Sequence, residues 1–307
     1  MEFTIQPDIL PKSTKKEKKK RVPREPLPMF YAPDKYEYEI GIDEAGRGPL
    51  FGRLYVAAVV LPKDGSMNTE AIRDSKKISK RHLPALYDYI KQHALAYYIH
   101  YIDASEIDRI NIREAVVKAM HICAEKVIDQ LELKMTKPSD DCDFQTHIVS
   151  ESGESKEKYF LMVDGNDFPP YYHITGRERS TTISSCRSER SERSLPVPEF
   201  LREDDFPKDS DSYNTGTRIS YQTFLQGDNA YANIAAASIL AKVARDDYVI
   251  ALCKKYPILA TFYGMHEHMG YGTKKHLEAI QKFGITQFHR RTYGCCKDAR
   301  MSYISHV

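Results

Sequence analysis

The stretch that most constrains this chain is Ile42-Asp43-Glu44-Ala45-Gly46-Arg47-Gly48-Pro49, because it lies between two runs that read as strands. Tyr36-Glu37-Tyr38-Glu39-Ile40 alternates, and Leu54-Tyr55-Val56-Ala57-Ala58-Val59-Val60-Leu61 is apolar, so a Gly/Pro-broken loop between them predicts strand, turn, strand. Two carboxylates then sit at a strand end, where adjacent Asp and Glu offer oxygens to a divalent cation. Gly46 and Gly48 let backbone groups approach a ligand closely. Asp and Gly are also ordinary turn residues, and a solvated acidic turn is the competing reading. Gly46, Gly48 and Gly52 give G-x-G-x-x-x-G, one residue too long for a dinucleotide-binding fingerprint.

Further along, Leu83, Leu86 and Ile90 share a helical face, with Ser79 or Asp74 as expected caps, and Ala94 to Ile102 predicts a strand. Ser105-Glu106-Ile107-Asp108 has the form of a capping box, followed by a long amphipathic helix over Ile112 to Leu133. Tyr159 to Val163 predicts a buried strand ending in Asp164-Gly165-Asn166, and Arg218 to Leu225 another, ending before Gly227-Asp228-Asn229. The alanine-rich segment from Ala235 to about Lys255 predicts a helix able to lie close to a sheet, with Ser238, Lys242 and Arg245 on one face. The loop Met269-Gly270-Tyr271-Gly272 precedes a last helix from Thr273 to about Phe283. This order predicts an α/β fold, a mixed sheet flanked by helices.

Residues 1–33 carry a lysine run and six prolines without periodicity, and are expected to form a disordered basic arm, with residues 34–307 expected to form the folded domain. Two polar stretches, about 134–158 and 174–216, read as surface insertions. From Lys12 to Glu25 eight Lys/Arg face two acids, so the rest of a chain whose total charge is +2 is net acidic. A nucleic-acid partner must therefore be held by a local patch. The six cysteines contain no C-x-x-C pair and read as free thiols of a reducing compartment, which predicts a cytoplasmic protein, with nuclear import through the basic arm as the alternative. No run approaches the roughly 18 apolar residues of a membrane span, so no membrane partner is expected.

Three separate strand ends or loops each pair an acid with a glycine: Asp43-Glu44 before Gly46, Asp164 before Gly165, and Asp228 after Gly227. Open α/β sheets gather their sites at one such edge. Four carboxylates with no histidine or thiol among them make a hard, oxygen-only donor set suited to magnesium or manganese. Two such ions would activate a water and stabilise the leaving oxygen of a phosphodiester.

The segments G-I-D-E-A-G-R-G-P (41–49), D-S-K-K-I-S (74–79), E-I-D-R-I-N-I (106–112), L-M-V-D-G-N (161–166), G-D-N-A-Y (227–231), A-A-A-S-I-L-A-K-V-A-R-D (235–246), G-Y-G-T-K-K-H-L-E-A-I (270–280) and H-R-R-T-Y (289–293) resemble the ribonuclease HII family, in its order. The resemblance implies a ribonuclease H-like fold and an endonuclease that cuts the RNA strand of RNA/DNA hybrids, and 5′ of single ribonucleotides in duplex DNA, leaving 5′-phosphate and 3′-hydroxyl ends. It implies that Asp43, Glu44, Asp164 and Asp228 are the catalytic, metal-binding acids. Gly46, Arg47 and Gly48 match the loop that contacts the ribose 2′-hydroxyl, the group that tells RNA from DNA. Tyr271 matches the tyrosine that senses the RNA-to-DNA junction. Lys76, Asn111, Lys242 and Arg245 are candidates for phosphate contacts or for holding the acids, with a structural salt bridge as the other role of Lys242 and Arg245.

Gln226 departs from the lysine usual in bacterial relatives, which, without a substitute from the arm or the insertion, predicts weaker substrate binding with a shallower dependence on salt. Arg47, where ribonuclease HIII typically has lysine, favours type HII. The G-Y-G-T-K-K-H ending suggests a monomer. The functional alternative is a noncatalytic hybrid-binding protein, whose signature would be the loss of one acid.

Overall fold

The computed structural model describes residues 25–135, 156–174 and 216–304. Strand β2 (Leu54–Val60) is buried at all of its positions, so both faces of its sheet need a covering layer. It pairs antiparallel with β1 (Tyr36–Ala45) on one side and with β3 (Ala96–Ile102) on the other. Strand β4 (Glu157–Asp164) runs parallel to β1, and β6 (Gly216–Phe224) parallel to β4, while β5 (Tyr171–Ile174) closes the far edge antiparallel to β6. The order is β3-β2-β1-β4-β6-β5. This is the mixed, helix-flanked, ribonuclease H-like sheet that the sequence predicts.

The period of two along β1 divides its side chains between the layers. Ile40 and Ile42, with Val56 and Ala58 of β2, pack against Ala115, Ala119, Met120 and Val127 of helix α3 (Ile112–Met135), which follows α1 (Leu83–His93) and α2 (Ala104–Ile110). Tyr55, Ala57 and Val59 point the other way, onto Ala235, Ala236, Ile239 and Leu240 of α4 (Ala232–Lys255). The alanine run brings that helix very near the sheet: a Cβ on Gly41 would stand 2.4 Å from the carbonyl carbon of Asn233. A third cluster joins Phe51 and Val249 to the C-terminal helices α5 (Pro257–Thr261), α6 (Met265–His268) and α7 (Lys274–Phe283) through Leu259, Tyr263, Met265 and Ile280.

Several local expectations are corrected. Ser105 lies inside α2, and the residue before that helix is Asp103, whose carboxylate is taken by Arg53 at 2.7 Å rather than by the helix backbone. Asp74 caps the 3-10 turn Ser75–Lys77, not α1, by accepting from the Lys76 amide, and Ser79 bonds the His82 ring. Strand β5 and helices α5 and α6, of four or five residues each, are too short to carry a readable period. Of the arm expected over 1–33, residues 1–24 lie outside the described residues. Residues 25–33 are held to the body: Leu27 and Met29 pack against the α4 side, Ala232 donates to Pro28 O, and Tyr31 stacks on Phe160. The insertions likewise fall outside the described residues except at their ends, where α3 reaches Met135, β4 begins at Glu157, β5 ends at Ile174 and β6 begins at Gly216. Among the described residues no helix is long and apolar enough to cross a membrane.

Candidate active site at the strand ends

Parallel pairing of Ile42 with Val163 places Asp43 and Asp164 level at the ends of β1 and β4. Asp164 pairs in turn with Phe224 of β6, and the chain then folds into the 3-10 turn Gly227–Asn229. The Gly227 amide donates to Asp164 Oδ1 at 2.6 Å, which brings Asp228 back toward the other acids. A Cβ on Gly227 would meet Ile234 Cδ1 at 2.6 Å, so a side chain here would require Ile234 to shift. All four acids singled out in the sequence are thus gathered where the parallel strands end.

Their environment is short of positive charge. Burial raises the Asp43 carboxyl well above the usual carboxylate range, and Glu44 and Asp164 push it further, against hydrogen bonds from Ser238 and the Glu44 amide, the latter at 2.7 Å. Glu44 is raised by burial and by Asp164, with Arg47 opposing at 3.4 Å. Burial also raises Asp164, with the Gly227 amide opposing. Asp228 is raised by burial and then by a fifth carboxylate, Asp74, while Lys76 Nζ stands 3.6 Å from Asp228 Oδ2. Burial lowers Lys76, but Asp228, Asp74 and Asp43 outweigh it and hold the ammonium above its ordinary value.

Asp74 and Asn229 escaped the sequence reading as site residues. The Asn229 amide donates to Asp228 Oδ1 at 3.1 Å and reaches Asp74 Oδ2 at 3.5 Å, and Lys77 binds both Asn229 Oδ1 and Asp74. Ser75 and Ser238 close the floor, with their hydroxyls 3.2 Å apart. The sequence signals were an acid beside Ser-Lys-Lys and an amide next to Asp228; reading Asp74 as a helix cap hid the first.

The glycine loop lies beside the acids and is held from behind. Gly46 has φ +102°, and a Cβ there would come within 2.5 Å of Arg245 Nε. Arg290, fully buried, donates to the carbonyls of Gly46, Arg47 and Gly52 at 2.7, 3.0 and 3.0 Å, leaving Gly48 and the Arg47 side chain exposed. In the sequence Arg290 stood within the segment H-R-R-T-Y with no role assigned to it. Tyr271 stands over the loop, its Cε1 3.8 Å from where a Gly48 Cβ would be, with its ring half exposed. Arg245 places its guanidinium 5.5 Å from that ring and donates to Met269 O at 2.6 Å.

Asn111, at φ +71°, accepts from the Glu114 amide at 3.1 Å at the start of α3. Lys242 binds Asp246 one turn on, the salt-bridge role kept open for it.

Five carboxylates faced by Lys76 and Arg47 form an anionic cleft of hard oxygen donors, which matches a divalent cation in charge and in donor type. Among the described residues no three His, Cys, Asp or Glu side chains close into a metal cage. The acids are instead turned onto protein partners: Asp43 on Ser238, Glu44 on Arg47, Asp164 on Gly227 and Asp228 on Lys76.

A mixed sheet ending in these acids, beside a cationic and glycine-rich rim, is the arrangement the sequence leads one to expect of a ribonuclease H-class hydrolase. The family model described as "Ribonuclease HII" matches residues 40–150 and 204–296. Ribonuclease HII of Psychrobacter sp. (strain PRwf-1) is 34% identical over 269 residues, covering 84% of this chain and 78% of that protein. Ribonuclease HII of Bacteroides thetaiotaomicron is 32% identical over 264 residues, covering 86% and 93%. The chain therefore belongs to the ribonuclease HII family and is an endonuclease. Among solved structures, the ribonuclease H2 of Pyrococcus horikoshii OT3 is similar with TM-score 0.49 and 18% identity, over 85% of this chain and 95% of that one.

Proposed function

We propose that this enzyme hydrolyses the RNA strand of RNA/DNA hybrids and cuts 5′ of a single ribonucleotide embedded in duplex DNA, leaving 5′-phosphate and 3′-hydroxyl ends, by two-metal-ion catalysis in a monomer. The observation that carries the reading is the meeting of the four acids with a backbone loop on which Tyr271 rests, its Cε1 3.8 Å from the Gly48 Cβ position. Asp43, Glu44, Asp164 and Asp228 would hold magnesium or manganese. Bound there, the cations supply Lewis-acid stabilisation of phosphodiester charge and a lowered pKa for the attacking water.

The chain's own groups supply recognition. Because Arg290 occupies the carbonyls of Gly46 and Arg47 from behind, the outer side of the loop is left for the 2′-hydroxyl, which both donates and accepts. The half-exposed Tyr271 ring offers a stacking surface for the next sugar, favouring one that lacks a 2′-hydroxyl. Lys76 and Arg47, each paired with one of the acids, are free at their exposed ends to meet the phosphate backbone.

The test is cleavage of a DNA duplex with one embedded ribonucleotide, with magnesium, manganese or chelator, by the wild type and by Asp43→Asn. Cleavage that survives chelation, or that the substitution leaves intact, rejects the mechanism. Tight binding of a hybrid without cleavage under any metal condition would establish the noncatalytic alternative.

A further inference from the structure

Behind Tyr271 lies a pair of buried histidines for which the catalytic reading has no use. His276, fully buried in the first turn of α7, has Nδ1 2.9 Å from Tyr271 O and Nε2 3.1 Å from His289 Nε2. His289, 2% exposed, has Nδ1 2.9 Å from both the amide nitrogen and the hydroxyl of Thr286.

These contacts fix both tautomers. A backbone amide can only donate, so His289 Nδ1 accepts from Thr286 and a neutral His289 carries its proton on Nε2. That proton faces His276 Nε2, which must accept it, and the His276 proton is left on Nδ1. The Tyr271 carbonyl can only accept, and it lies where that proton points. A one-way chain results: Thr286 N–H to His289, His289 to His276, His276 to the carbonyl of Tyr271. Burial pushes His276 down to about 4 and His289 down to about 3, so both rings are neutral across the working range. His268 stacks on His276 with ring centroids 5.0 Å apart, and Phe51 meets His289 edge-on at 5.1 Å.

The same strand of contacts reaches the glycine loop. Arg290, next to His289, clamps Gly46, and the Leu50 amide donates to Gly270 O at 3.0 Å. The Tyr271 carbonyl has a second donor, the Thr273 amide at 2.8 Å, but that bond lies within the loop itself. Among the described residues, His276 is the donor that ties it to the buried interior.

We infer that His276 and His289 are positioning residues for substrate choice: their ordered hydrogen-bond chain fixes the backbone of Tyr271, and with it the discrimination between an RNA-to-DNA junction and continuous RNA. The inference rests on the role given to Tyr271 under Proposed function.

Two measurements test it. In the 15N-labelled wild-type chain at pH 7, long-range proton–nitrogen correlations should find His276 protonated on Nδ1 only and His289 on Nε2 only; the reverse tautomers, or a charged ring, overturn the relay. This needs no variant to fold. The second is the ratio of kcat/KM on a duplex with one embedded ribonucleotide to kcat/KM on a uniform RNA/DNA hybrid. His276→Phe fills the space without a donor, and the ratio should fall about five- to tenfold, the worth of about one buried hydrogen bond. His276→Asn keeps an amide donor on the Nδ1 side and should restore most of it. An unchanged ratio in His276→Phe, or equal losses on both substrates that Asn does not rescue, overturns the inference. Tyr271→Ala runs in parallel: if it leaves the ratio unchanged, the reading of Tyr271 itself fails, whereas a collapse there with an unchanged ratio in His276→Phe removes the relay alone.

Discussion

Arg290 donates from Nη2 to the carbonyl of Gly46 at 2.7 Å, joining a residue late in the chain to the loop that follows Asp43 and Glu44. The same guanidinium serves Arg47 O and Gly52 O, and only arginine has the fork to reach three carbonyls at once. Burial lowers it to about 10, which leaves it charged at neutral pH.

Arg290→Lys should therefore loosen the loop without emptying the site. A lysine satisfies at most part of the carbonyl set, and each buried carbonyl left without a donor costs about 1–3 kcal/mol. Thermal denaturation should show a clear fall in Tm, and steady-state kinetics a larger rise in KM than fall in kcat. Equal Tm and KM for the two proteins would mean that the loop is held by its glycines alone.

Replacing Asp43 by Asn should remove activity while stabilising the fold in chelator. The Asp43 carboxyl is raised by burial and by Glu44 and Asp164, so the folded state holds that proton more tightly than the unfolded chain. The stability linked to it is present below the ordinary carboxylate range and is lost as pH rises through the folded value. An uncharged Asn is free of that loss and keeps an oxygen for the Glu44 amide. Tm at pH 7.5 with chelator should rise in the variant, and cleavage should drop by on the order of a hundredfold or more. Added magnesium should then raise the Tm of the wild type more than that of the variant. A variant less stable than wild type in chelator would count against an under-neutralised cluster.

Much of this site was legible because its parts obey local rules. Asp43-Glu44 followed an alternating strand and preceded a Gly/Pro break; Asp164 ended an apolar run; Asp228 stood in Gly-Asp-Asn before an alanine-rich helix. What brings them together, the parallel register of Ile42 with Val163, is a long-range pairing that no local window contains. Arg290 and His289 were illegible for the same reason, since their partners lie more than two hundred positions earlier or are set by the packing of α7. Asp74 was misread for a different one: a cap and an outer carboxylate of an acidic cluster look alike in sequence, and here it is both, capping with Oδ1 and facing Asn229 with Oδ2.

The buried histidines predict a stability loss in acid. Both are lowered in the fold, to about 4 for His276 and about 3 for His289, against about 6.5 in the unfolded chain. The unfolded chain therefore binds more protons below pH 6.5, and the stability these rings contribute falls with pH down toward their folded values. Carboxylates titrate in the same range, so the signal is the difference between wild type and His276→Asn. Chemical denaturation at pH 7, 6, 5.5 and 5 should give the wild type the steeper decline, by up to about 1.4 kcal/mol per pH unit for one ring. Parallel profiles would show that His276 is as easily protonated folded as unfolded.

Gln226 is exposed at φ +56° just before the turn that carries Asp228. Glutamine offers a phosphate only a neutral amide, whereas lysine at the same place would bring a full charge to the rim of the acidic cleft. The left-handed backbone gives no reason to prefer one over the other, since both carry a Cβ and a long unbranched stem. Gln226→Lys should leave Tm nearly unchanged and tighten binding of an RNA/DNA hybrid. The dependence of log K on log salt should steepen by roughly 0.7–0.9, the release of about one counterion equivalent. Binding isotherms at three or more salt concentrations, in calcium or chelator to prevent turnover, read both quantities. Tighter binding without a steeper slope would assign the gain to a contact other than phosphate, and no change in either would mean that the nucleic-acid backbone does not pass this side of Asp228.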